Sequence, residues 1–206
     1  MIYNDQMDKR IECVVVGPIA TNCWLYKLNG DPAGKQLCAV IDPGDEAGKI
    51  ISGLKKLKWV PRYIFLTHGH WDHITALPEL FDAFGKGEFD DEEPPKIYIH
   101  RMDVHHLKNN TCPIDHIDDG DTVGPFKVLH TPGHTQGSLC FYDEQAGVLF
   151  TGDTLFHGDH GRTDLPGGSE EEIRKSLKRL LSLDGKTGVY PGHEETTTIA
   201  EEIPNH

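Results

Sequence analysis

The sequence predicts an α/β fold made of two similar halves. Two observations lead there. Short apolar runs with strand character precede a helical pattern, and this order occurs once over residues 11–84 and again over residues 123–190. Hydrophobic residues make up 37% of the chain, a modest share, yet they fall in periodic groups, as in a globular protein and unlike a disordered one. The likeness of the halves rests on this order alone, because Val40-Ile41-Asp42 and Phe150-Thr151-Gly152-Asp153 are too short to establish a repeat. At 206 residues the chain can form one substantial domain or two small ones.

In order along the chain, Ile11 to Val16, Asn22 to Leu28 and Leu37 to Ile41 read as strands. Gly17-Pro18 and Asn29-Gly30-Asp31-Pro32 supply the turns between them, and Asp42-Pro43-Gly44-Asp45 closes the third. A helix is expected over Glu46 to Leu57, with Ile50, Ile51, Leu54 and Leu57 on its inner face. Tyr63-Ile64-Phe65-Leu66 reads as a buried strand, and Ile74, Leu77, Leu80, Phe81 and Phe84 share one face of a following helix. Gly85 to Lys96, with Asp90-Asp91-Glu92-Glu93-Pro94-Pro95, reads as an exposed acidic loop. A short strand at Ile97-Tyr98-Ile99, a short helix over Arg101 to Leu107 and a loop from Asn109 to Asp121 end the first half.

Val123 to Leu129, Leu139 to Tyr142 and Val148 to Thr151 are the strands of the second half. Ser169 and Glu172 have capping-box spacing at the head of a helix whose apolar stripe is Ile173, Leu177, Leu180 and Leu181. Glu170 and Glu171 near its start and Lys178 and Arg179 near its end suit the helix dipole, and Gly185 ends it. Thr187 to Tyr190 is the last expected strand.

Chemistry concentrates in Thr67-His68-Gly69-His70-Trp71-Asp72-His73, between the Tyr63 strand and the next helix. Residues two apart in extended backbone point the same way, so His68 and His70 can reach one ion. Asp72 and His73 are adjacent and diverge, which suits a second ion beside the first. A lone His-x-His has many ordinary explanations, but four potential ligands within six residues after a buried strand mark a metal site. Imidazole and carboxylate are ordinary zinc ligands and also suit iron. His134, Asp153 and His193 stand in turn-rich surroundings at later strand ends, where each alone reads more readily as a polar loop residue than as a ligand.

Composition excludes some functions. The formal net charge of −13 opposes nucleic acid and anionic membranes as partners. No apolar run approaches the ~20 residues that span a bilayer. The polar start from Met1 to Arg10 lacks the apolar core of a secretory signal, so a cytoplasmic protein is expected, or an organellar one if a transit segment has been removed. Cys13, Cys23, Cys38, Cys112 and Cys140 are scattered and odd in number, which favours buried free thiols over a disulfide framework.

Together these motifs resemble the metallo-β-lactamase superfamily, and within it the short glyoxalase II-like hydrolases. The resemblance runs from Val40-Ile41-Asp42-Pro43-Gly44 through the His68 cluster, Thr131-Pro132-Gly133-His134-Thr135 and Thr151-Gly152-Asp153-Thr154 to Pro191-Gly192-His193. It implies a four-layer αβ/βα sandwich over residues 1–206. It assigns His68, His70 and His134 to a first metal and Asp72, His73 and His193 to a second, with Asp153 bridging both. The two ions would be divalent, zinc foremost, with iron or a mixed pair as the alternative. Asp42 reads equally as a turn residue before Pro43 or as a partner that orients a ligand histidine. Arg162, in the Gly161–Ser169 stretch that resembles the substrate-side loop, matches a basic position near glutathione. His100, His105, His106, His116, His130, His157, His160 and His206 match no ligand position. With the chain ending at His206, the C-terminal helical glutathione-binding region of glyoxalase II is expected to be absent.

The activity implied is hydrolysis of an acyl-thioester, S-lactoylglutathione-type first, by a metal-bridged hydroxide, with Asp72 and Asp153 as the carboxylates nearest the reaction. A thiolate leaves without a strong acid because its pKa is about 8.5. Persulfide dioxygenases share the fold and the ligand pattern but use one iron, and lactone or ester hydrolases of this fold are a lesser alternative. A β-lactamase is less favoured, because the zinc β-lactamases place Cys where Asp153 stands. The sequence sets no oligomeric state.

Overall fold

Two mixed sheets lie face to face in a computed structural model that describes residues 10–30, 34–89, 93–107 and 110–206. The first sheet runs in chain order through β1 (Ile11–Val16), β2 (Thr21–Lys27), β3 (Leu37–Ile41), β4 (Val60–Phe65), β5 (Lys96–Ile99) and β6 (Asp115–His116). The second holds β7 (Thr122–Val123), β8 (Phe126–His130), β9 (Leu139–Asp143), β10 (Val148–Gly152), β11 (Gly188–Pro191) and β12 (Thr197–Thr198), again in order. The hairpins are antiparallel, whereas β3–β4, β4–β5, β5–β6 and β10–β11 are parallel.

Strand periodicity sorts the side chains into layers. In β2, Cys23 and Leu25 face helices α1 (Ala47–Leu57) and α3 (Leu77–Gly85), while Trp24 and Tyr26 face the opposite sheet. In β9, Leu139 and Phe141 meet that inner layer, while Cys140 and Tyr142 pack with helices α4 (Glu170–Leu180) and α5 (Ile199–Glu202). The result is the expected four-layer αβ/βα sandwich. Aromatic rings fill its middle: Phe65 lies 4.6 Å from Phe141 and 5.4 Å from Phe126 between ring centroids, and Tyr26 lies 5.1 Å from Phe126. All five thiols are unpaired, and four of them are buried. Among the described residues no helix is long and apolar enough to cross a membrane.

Several elements depart from expectation for local reasons. The helix expected from Ile74 to Phe84 is two pieces, α2 (Trp71–Ile74) and α3, because Pro78 lacks an N–H and sits in the first turn of a new helix. The single strand expected over Val123 to Leu129 is the β7–β8 hairpin, turned at Gly124-Pro125. The Arg101 to Leu107 helix is only a 3₁₀ turn over Val104–Leu107, and the loop expected after Asn109 contains β6. Ser169 caps α4 by accepting from Glu172 N, but its own N–H donates to Gly133 O, so half of the expected capping box is made. A complete one links Thr198 and Glu201 at α5. Asp90, Asp91 and Glu92 of the acidic loop, Asp31 and Pro32 of the early turn, Asn109 and the start through Lys9 lie outside the described residues.

Phe141 is fully buried where the two sheets meet. Phe141→Ala should therefore cost about 3–5 kcal/mol of unfolding free energy. Urea denaturation of the metal-free protein reads this directly, and a loss under ~1 kcal/mol would contradict the dependence on that layer.

Candidate metal centre

The potential ligands all follow the carboxyl ends of strands, at one rim of the sandwich. His68 and His70 follow β4, Asp72 and His73 lie on α2, His134 follows β8, Asp153 follows β10 and His193 follows β11. Loops at such strand ends are where a rigid scaffold presents functional groups. The structure brings all seven together.

One set consists of His68, His70 and His134. His70 Nδ1 lies 3.1 Å from His68 Nε2 and 2.8 Å from His134 Nε2. Three ligands at tetrahedral zinc, each about 2.0–2.1 Å from the ion, stand roughly 3.3 Å apart, close to this spacing. Asp72, His73 and His193 form a second set. Asp72 Oδ2 lies 3.1 Å from His73 Nε2 and 3.2 Å from His193 Nε2. The Asp153 carboxylate stands between the sets, with Oδ1 3.4 Å from His73 Nε2 and Oδ2 3.5 Å from His134 Nε2 and 3.6 Å from His193 Nε2.

Two atoms show that this space suits a cation. His73 Nε2 and Asp153 Oδ1 are buried without a partner in hydrogen-bonding geometry, although they face each other. A buried acceptor left unmade is costly, and an ion between the sets would satisfy both atoms. Nitrogen and carboxylate oxygen are the donor types that zinc and iron accept.

The imidazoles are oriented from behind. Asp42 Oδ2 lies 2.9 Å from His73 Nδ1 and accepts from Thr67 Oγ1 at 2.6 Å, while Oδ1 accepts from Thr67 N at 2.7 Å. Thr67 Oγ1 also lies 3.1 Å from His68 Nδ1, so one carboxylate steadies a histidine in each set. Asp42 is thus no mere turn residue: it holds a left-handed φ of 54°, a strained conformation stabilised by these bonds. His134 Nδ1 donates to Arg162 O at 2.8 Å, and Thr21 Oγ1 donates to Asp72 Oδ2 at 3.2 Å. The Arg162 side chain is separate from this: it is exposed and forms a two-pronged pair with Asp164. Gly192 lies so close that a Cβ there would be 2.4 Å from Asp153 Oδ1 and 2.7 Å from His73 Cε1.

Electrostatics divides the sets. Burial and the neighbouring imidazoles hold His68 well below its usual range and push His70 down to about 4. Burial also opposes charge on His73 and His193, but the surrounding carboxylates outweigh it: Asp153 and Asp42 raise His73, and Asp72 with Asp153 raises His193. Burial works against Asp72 as well, yet the imidazoles of His193 and His73 beside it keep it well below the usual carboxylate range. Without an ion, His73 and His193 thus hold a proton more readily than His68 and His70.

Sequence reasoning missed three residues that build this rim. Thr21 holds Asp72, and Asn22 Nδ2 donates to Pro191 O and Glu194 O, on either side of His193. Asp103 is buried between the His68 and His134 loops. Each is a single polar residue in an ordinary local context, so no spacing signals it.

Comparison with known proteins agrees with this architecture. Residues 16–193 match the metallo-β-lactamase superfamily. The hydroxyacylglutathione hydrolase GloC of Haemophilus influenzae is 34% identical, over 93% of this chain and 94% of that protein. The structure of TTHA1623 in a di-iron-bound form superposes with a TM-score of 0.83 at 32% identity, covering 95% of this chain and 98% of that one. The BLEG-1 B3 metallo-β-lactamase gives 0.81 at 32% identity, covering 94% and 96%. With this profile match spanning most of its length and these relatives aligned nearly end to end, the chain belongs to the metallo-β-lactamase superfamily.

Proposed function

We propose that the protein is a dinuclear metal-dependent hydrolase of acyl-thioesters, with S-lactoylglutathione-type substrates foremost. The observation that carries this reading is the pair of three-residue donor sets with the Asp153 carboxylate between them. His68, His70 and His134 would hold one ion and Asp72, His73 and His193 the other, with zinc the first expectation and iron or a mixed pair the alternative. A divalent ion bound here supplies Lewis acidity toward a carbonyl oxygen and lowers the pKa of water toward ~7.

The chain's own residues prepare that chemistry. Asp42 accepts the Nδ1 proton of His73, which leaves the Nε2 lone pair facing the centre. The Arg162 carbonyl does the same for His134. Asp153 and Asp72 place carboxylate oxygens beside both sets. A thioester suits such a site because its thiolate, with a pKa near 8.5, departs without a proton donor. The Arg162 guanidinium lies on the loop that backs His134 and would exchange Asp164 for a carboxylate of the thiol carrier. The name of the Haemophilus influenzae relative supports the thioester class, whereas the B3 β-lactamase neighbour makes a β-lactam the competing substrate.

The deciding experiment measures metal content of protein purified without added metal, together with turnover of S-lactoylglutathione, glutathione persulfide and a cephalosporin. Two ions per chain with preference for the thioester is the expected result. A single iron with persulfide oxidation, or preference for the cephalosporin, would overturn it.

Asp153→Ala should lose one or both ions and nearly all turnover, because this carboxylate stands between the sets and faces a histidine Nε2 of each. Elemental analysis and steady-state rates check this, and a variant that kept two ions and most of its rate would contradict the assignment.

Acidification should release the ions in two stages. Protons compete with an ion wherever a ligand histidine has a raised pKa, so the His73 and His193 set should empty first as pH falls. The set containing His68 and His70, whose values are depressed, should hold its ion to lower pH. Zinc release followed with a chelating dye across pH distinguishes two steps from one.

Arg162→Ala should raise KM for the glutathione thioester more than it lowers kcat, and should leave a thioester lacking the peptide carboxylates nearly unaffected. Equal losses on both substrates would assign Arg162 to the fold.

A further inference from the structure

Asp103 belongs to neither donor set, and its residue is only 1% exposed. It lies between β5 and the 3₁₀ turn, yet its carboxylate is spent on two distant loops. Oδ2 accepts from Gly69 N at 3.0 Å and from Thr135 Oγ1 at 2.7 Å, and Oδ1 accepts from Gly137 N at 2.8 Å. Gly69 stands between His68 and His70, and Thr135 follows His134. One loop leaves the first sheet and the other leaves the second.

The fit around Asp103 is close. A Cβ at Gly137 would lie 2.6 Å from Asp103 Cγ, and one at Gly69 would lie 2.9 Å from Asp103 O. Both loops therefore close onto this residue only as glycines. Three donors converge on this one carboxylate, and burial keeps water from replacing them. No comparable bond from Asp103 reaches Asp72, His73 or His193, which are held instead by Thr21, Asp42 and the Asn22-anchored loop.

We propose that Asp103 is the positioning residue of the first donor set, fixing the distance between His70 and His134 across the two halves of the fold. The metal-binding role of that set rests on the function proposed above, whereas the histidine spacing does not. A carboxylate that served only general stability would affect both sets alike. One that positions this set acts on it selectively.

Asp103→Asn keeps the shape but turns an amide N–H₂ toward a donor that the carboxylate had satisfied. In the metal-free protein, ring-proton NOEs between His70 and His134, whose centroids lie 4.6 Å apart, should weaken or vanish in D103N. Those between His73 and His193, at 5.3 Å, should persist. With zinc as the probe, chelator competition should show one of the two ions held about 10–100-fold more weakly and the other unchanged. Retention of both NOE sets and both affinities, or equal loss at both sets, overturns the proposal. If D103N does not fold, Thr135→Val, which removes one arm of the contact, gives the decision by the same two readouts. Wild-type protein that took up no zinc would sink the proposed function, and the NOE comparison would still decide the role of Asp103.

Discussion

The centre is governed by one constraint: groups that repel or dehydrate one another must be held together in a space nearly closed to water. Five imidazoles and the carboxylates of Asp42, Asp72 and Asp153 lie within a few ångströms. His70 Nδ1 faces His68 Nε2 at 3.1 Å and His134 Nε2 at 2.8 Å, and one ring nitrogen can donate a proton to only one of the two. Carboxylates buried close together need compensating positive charge. In the metal-free protein, raised proton affinity at His73 and His193 supplies that charge. A divalent cation answers both demands at once, accepting lone pairs in the first set and neutralising carboxylates in the second.

Such a cluster costs stability, and the rest of the fold is arranged to bear it. The aromatic layer sets the two sheets face to face, so that loops from both reach one rim. Polar side chains then fix the loops against each other. Trp24 belongs to both systems: its ring packs 5.2 Å from Tyr190, and its Nε1 donates to Pro191 O at 2.8 Å, just ahead of His193. With Asn22 on the same strand, β2 of the first half holds the His193 loop of the second. Packing and ligand placement are thus not independent. A shift between the sheets would move His193 and His134 away from the His68 cluster.

What the sequence made legible was local. The strands announced themselves by short apolar runs, and the His68 cluster by four ligand types within six residues. His134, Asp153 and His193 are ambiguous one at a time and gain meaning beside the His68 cluster, because a two-metal site draws ligands from several strand ends; their division between two ions comes from the family resemblance, since their convergence depends on pairings far apart in the chain. Asp103 left no trace at all: its partners Gly69, Thr135 and Gly137 lie 34, 32 and 34 residues away, and no period links them. Other departures have short-range causes that compete with periodicity. Ile74 through Phe84 keep a helical spacing, yet Pro78 starts a new helix among them. Thr198-x-x-Glu201 is a sound capping signature, but the helix it opens spans only four residues, too few for an apolar stripe to confirm it.

Arg162 shows how one residue divides its duties between main chain and side chain. Its carbonyl accepts from His134 at 2.8 Å and so belongs to the buried scaffold of the first set. Its guanidinium pairs with Asp164 on the surface, where both side chains are more than 60% exposed. An exposed pair of this kind contributes little to stability, since water and salt screen it. Exchanging Asp164 for another carboxylate is therefore cheap, while displacing the carbonyl is not. An anionic ligand bound as proposed would take the place of Asp164 against the same guanidinium. Under that proposal the exchange at the tip of the loop would leave the histidine at its base in place, because His134 is held by the Arg162 carbonyl and not by the guanidinium.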